Sequence, residues 1–142
     1  MAIILGQKPV QDTKDYEDYA IGITLPVRIT DTAFAQSYTT LEQVKTNIKS
    51  LLLTKKYERV MQPQLGSGLQ EVLFQFNDDN LASTIEDTIV ESLAIWLPYV
   101  NIDDIIIEQT DYLKDTNTVN VSLKFRISNS PNLETVTFNV GQ

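Results

Sequence analysis

The chain has 142 residues, 42% of them hydrophobic, and a net charge of −8 from 19 acids and 11 bases. It contains no histidine and no cysteine, which removes the commonest general base, the commonest transition-metal ligand, every disulfide and every thiolate nucleophile. The length suffices for one domain with a buried core, and the acidic excess argues against nucleic acid as a partner.

No apolar run approaches the roughly 20 residues that span a bilayer. The apolar start, Met1 to Leu5, is short and lacks the basic flank and small-residue cleavage site of a signal peptide. The reading is a soluble chain with no membrane partner. The absence of cysteine suits assembly in a reducing cytoplasm.

Residues 1–19 carry no period and read as an arm. Residues 20–29 read as a strand, with Ile21, Ile23, Leu25, Val27 and Ile29 alternating with polar or small residues. Pro26 has no N–H to give a ladder, so this strand belongs at an edge or is broken there. Residues 31–38 read as a loop. Residues 1–38 are thus an N-terminal arm and first strand, and residues 39–142 the core of a single domain.

Thr39 followed by Glu42 forms a capping box. Leu41, Val44, Ile48, Leu51 and Leu52 then recur at helical spacing, and Lys45 and Lys49 point away from that stripe. The helix is expected to end within residues 54–57. Residues 57–69 are punctuated by Pro63, Gly66 and Gly68 and predict a shaped turn region. Leu69, Val72, Leu73 and Phe76 suggest a short helix packed on the core.

A second long helix follows, with a cap at Asn77, Asp78 or Asp79. Its stripe is Leu81, Ile85, Ile89, Leu93 and Trp96 or Leu97, and Pro98 stops it. Three strands complete the chain. The first holds Ile105 and Ile107. The second alternates Val119, Val121, Leu123, Phe125 and Ile127 with polar residues. The third holds Val136, Phe138 and Val140. The polar link at 114–118 predicts an antiparallel hairpin, and Ser130-Pro131-Asn132 turns the chain again. The fold class is α+β, two amphipathic helices packed on a small, mostly antiparallel β-sheet.

Charge is unevenly distributed. No Lys or Arg falls between Val60 and Leu113, where acids are frequent, whereas Lys45, Lys49, Lys55, Lys56 and Arg59 lie just before. Solvated helix faces explain this, and so would opposed faces that orient the molecule in an assembly.

Carboxylate chemistry needs no histidine, and Glu58, Glu71 and Glu91 are the nearest candidates for a glycosidase pair. Nothing in their spacing sets two of them across a cleft, and Glu86 and Glu91, five apart, share a helix face poorly. Gly66-Ser67-Gly68 lacks the frame and lysine of a phosphate loop. Asp103, Asp104 and Glu108 lack the pattern of a calcium loop and read as a solvated strand edge. No catalytic residue, metal site or cofactor is assigned. The final strand, by contrast, could trade backbone hydrogen bonds with another subunit.

The stretch from Leu51 to Leu69, followed by Leu73-Phe74, resembles the baseplate wedge protein family of contractile phages, whose relatives include the lysozyme-like subunit of type six secretion baseplates. Arg59, Pro63, Gly66, Leu69, Leu73 and Phe74 carry the match, with Gln64 and Leu65 as softer ones. The order of elements agrees from Leu41 to Val140. Many relatives carry Glu-Pro-Arg after the second helix, implicated in docking to the helical core bundle of the wedge. This chain has Leu97-Pro98-Tyr99 there, so docking would have to be apolar, through Trp96, Leu97 and Tyr99.

The resemblance implies a structural subunit of the virion tail baseplate. It would bind other wedge proteins through Arg59, Pro63, Gly66, Leu69, Trp96, Leu97, Pro98 and Tyr99. It would start the tail sheath by strand exchange through Leu133, Val136, Phe138 and Val140. Two alternatives stand beside it. One is a peptidoglycan hydrolase using Glu58 or Glu71, since some relatives are labelled lysozyme. The other is a regulatory binding module on the same fold.

Overall fold

A computed structural model of the chain describes residues 19–28, 34–74, 80–108, 118–128 and 130–141. The chain falls into two units, Met1–Thr46 and Asn47–Gln142, and the boundary lies inside a helix.

In the first unit, strands β1 (Gly22–Ile23) and β2 (Gln36–Ser37) pair antiparallel. Backbone bonds extend the ribbon: Thr24 N–H donates to the Ala35 carbonyl at 3.0 Å and Ala35 N–H to the Arg28 carbonyl at 2.9 Å. The long strand expected over 20–29 is therefore only two residues here, and Ile21, Ile23 and Val27 are exposed instead of lining a buried face. A two-stranded ribbon has too little area to bury a face, and Pro26 removes a donor where the strand would continue. The loop expected over 31–38 contains β2, while Ile29 and residues 31–33 lie outside the described residues.

Helix α1 (Thr40–Leu53) starts as its capping box predicts. Glu42 N–H donates to Thr39 Oγ1 at 3.2 Å. The Glu42 carboxylate accepts from Tyr38 N–H, also at 3.2 Å, so the box closes one residue earlier than the usual pattern. Beside it the buried Ser37 hydroxyl donates to Gln43 Oε1 at 2.6 Å. That glutamine amide occupies the space a side chain at Gly22 would need.

The second unit holds the main core. Sheet strands β3 (Val100–Glu108), β4 (Val119–Ile127) and β5 (Glu134–Val140) run antiparallel in the order β3-β4-β5. Strand β4 alternates as expected: Val119, Val121, Leu123, Phe125 and Ile127 are all buried. On β5, Val136, Phe138 and Val140 are buried on the same alternation. A single sheet face is thus sealed. The stripes that close this core are Ile48, Leu51 and Leu52 from α1 and Ile85, Ile89 and Leu93 from helix α3 (Leu81–Trp96). The short helix α2 (Leu69–Leu73) adds Leu69 and Val72. The architecture is α+β, as predicted.

The N-cap of α3 is Asn80, and its side chain makes no capping bond. The caps expected at Asn77, Asp78 or Asp79 lie outside the described residues, as does Phe76. Strand β3 is longer than its predicted Ile105 and Ile107. A register shift between Ile102 and Asp104 leaves Asp103 as an extra residue, so that Val100 and Ile102 share the inner face with Ile105 and Ile107 despite the odd spacing. No helix among the described residues is long and apolar enough to cross a membrane.

Candidate functional site

Three surfaces carry the residues singled out by sequence. The first is the loop between α1 and α2. Its two ends are tied by a parallel bridge between Lys55 and Ser67. Ser67 N–H donates to the Thr54 carbonyl at 2.9 Å, and the buried Ser67 hydroxyl donates to the Leu52 carbonyl at 2.6 Å, satisfying a helix-end acceptor. Gly66 sits at φ 133, and a Cβ there would lie 2.6 Å from the Thr54 carbonyl oxygen. Only glycine fits that position.

Farther out, Tyr57 N–H donates to the Pro63 carbonyl at 2.6 Å and Leu65 N–H to the Gln62 carbonyl at 3.1 Å. Lys55 N–H donates to Glu58 Oε2 at 3.2 Å. The loop is therefore cross-braced, yet its tip is apolar and open: Tyr57 is 76% exposed, Val60 94% and Met61 96%. Of the residues singled out by sequence, Arg59 and Pro63 are exposed on this loop, whereas Gly66 and Leu69 are buried and shape it. Tyr57, Val60 and Met61 were not singled out. The available signal was an apolar pair inside a turn region with no helix or strand period to absorb it.

The second surface is the corner from α3 into β3. Pro98 ends the helix, Leu97 N–H donates to the Leu93 carbonyl at 2.8 Å, and Val100 N–H donates to the Leu97 carbonyl at 2.9 Å. Trp96, Leu97 and Tyr99 are half-buried, Pro98 is exposed, and Ile95 beside them is exposed. The Asn47 amide donates to the Tyr99 hydroxyl at 3.4 Å. The Tyr99 carbonyl accepts from both the Ser128 N–H and hydroxyl, each at 3.0 Å, which ties the corner to the end of β4.

The third surface is β5, which among the described residues pairs only with β4. Val136, Phe138 and Val140 are buried in this chain's own core, while Leu133, just before the strand, is exposed. What β5 has to offer outward is its backbone edge.

Among the described residues, the candidate carboxylates are not brought together as a reactive pair. Glu58, Glu71 and Glu91 are exposed, and Glu58 already accepts from its own loop. Asp104 pairs with Lys124 at 2.9 Å and Asp103 with Arg126 at 2.6 Å across the outer face of the sheet. Among the described residues there is no cluster of potential metal ligands.

Among the described residues, the sites singled out are a braced loop, an apolar corner and an edge strand on an α+β body. A family model, baseplate wedge protein gp25, matches residues 39–132, and the chain belongs to that family of structural baseplate subunits of contractile tail systems. Among curated proteins, no sequence matches.

Solved structures share the fold. A crystal structure called a tail lysozyme, from Geobacter sulfurreducens, is 18% identical, with a TM-score of 0.65 over 72% of this chain and 91% of that one. A chain of the anti-feeding prophage baseplate is 21% identical, with a TM-score of 0.61 over 78% and 86%. A chain of the type VI secretion baseplate complex is 15% identical, with a TM-score of 0.55 over 71% and 92%.

Proposed function

We propose that this chain is a non-enzymatic wedge subunit of a virion tail baseplate that docks on the helical core of the wedge and initiates the sheath by strand exchange. Residues 39–142 are the part that does this. The observation that carries the reading is β5, whose apolar side is already sealed and whose outer backbone edge has no partner strand among the described residues. Family membership supplies the setting. Docking uses Trp96, Leu97, Pro98 and Tyr99 with Arg59 and Pro63, while Gly66 and Leu69 hold the loop in shape. No cofactor, nucleic acid or membrane takes part.

The test is sheath polymerisation on assembled baseplates. Removing residues 133–142 would strip Val136, Phe138 and Val140 from the core, so it cannot separate folding from assembly. Leu133→Lys with Asn139→Lys places charge along the exposed side of the edge instead. Baseplates carrying that variant should form and fail to grow sheath, and full-length sheaths on them would defeat the reading. The hydrolase alternative requires muramidase turnover by the pure chain that is lost in Glu58→Gln or Glu71→Gln, and none is expected.

A further inference from the structure

The apolar residues at the tip of the loop between α1 and α2 have no part in the docking assigned to Arg59 and Pro63. A strained backbone and a nearly free apolar surface coincide there. Tyr57 lies at φ 69, a left-handed conformation that disfavours a bulky residue and that glycine would adopt without strain. An aromatic held there while 76% exposed contributes little to this chain's core. Strain of this kind is retained where a side chain must be presented. Val60 and Met61 stand beside it almost wholly in water, on a loop whose hydrogen bonds fix it before any partner arrives.

Charge identifies the occupant. Lys55, Lys56 and Arg59 flank the tip residues in sequence and have no ion pair among the described residues. The one acid there, Glu58, has an oxygen engaged by Lys55 N–H. The tip is thus apolar at its centre and positive at its rim, on a chain of net charge −8. We infer that Tyr57, Val60 and Met61 form a preorganised plug for an apolar socket rimmed by carboxylates on a different baseplate protein. A second copy fits poorly: among the described residues its exposed acids in the second unit lie on helix surfaces (Glu58 aside, Glu71, Glu86, Asp87, Glu91) and along strand β3 (Asp103, Asp104, Glu108), not around an apolar socket. This inference rests on the reading of the chain as a baseplate subunit, and extends the docking assigned to Arg59 and Pro63 with the apolar tip of the same loop, apart from β5.

The experiment uses particles assembled with the full chain carrying a photo-crosslinking benzoyl-phenylalanine at Met61, with a second probe at Leu133 for the strand edge. The expected result is an adduct from position 61 to another baseplate protein, at a peptide rich in Asp or Glu beside apolar residues. An adduct only to a second copy, or to a peptide without acids, overturns the proposal. So does silence at 61 while 133 reports. Failure of the chain to enter particles at all overturns the functional reading and this inference with it.

Tyr57→Gly supplies an independent arm. It relaxes the backbone, so the unfolding midpoint should hold or rise while competition against wild type for incorporation falls at least about tenfold. Equal incorporation would reject the plug.

Discussion

Single residues set the geometry of the loop. Gly66→Ala forces a side chain into the Thr54 carbonyl at a backbone angle that L-residues avoid, and should cost about 1–3 kcal/mol in chemical denaturation. Ser67→Ala removes a buried hydroxyl that serves the Leu52 carbonyl and should cost about 1–3 kcal/mol by the same measurement. Asp103→Asn sits at the other extreme. Its pairing with Arg126 is short but partly exposed, so the loss should stay at or below about 1 kcal/mol and shrink further in high salt.

At the scale of elements, the sequence was most informative where periodicity met burial. Val119 to Ile127 alternate in sequence and in burial alike, because β4 is central and one face is fully covered. The α1 and α3 stripes were legible for the same reason. Residues 20–29 show the converse: an alternating pattern fixes a strand only when something covers its apolar side, and a ribbon of two-residue strands does not. In β3, the adjacent aspartates between Ile102 and Ile105 marked a break in the period, and that break is the bulge.

Of the candidate site residues, exposed Arg59 and Pro63 lie where a partner can reach them, but Gly66 and Leu69 do not. Shape residues and contact residues look alike in a motif, since both are tightly specified. Substituting Phe125→Ala should show how far the sheet depends on its centre, with about 3–5 kcal/mol lost on denaturation.

For the molecule as a whole, the lack of histidine and cysteine removes imidazole and thiolate chemistry. An acidic chain of net charge −8 repels itself, so its unfolding midpoint should rise as salt is added from low ionic strength, measured by calorimetry. Failure to rise would indicate that opposite charges already compensate locally.

The bulge at Asp103 bears on the whole assembly. It bends one margin of the sheet and sets two carboxylates beside it, whereas β5, at the opposite margin, pairs with β4 in unbroken register. A kinked, acid-bearing margin discourages newcomers. If sheath strands add as proposed, they are expected on one side only, which would make growth from this chain a process with a direction and a built-in stop.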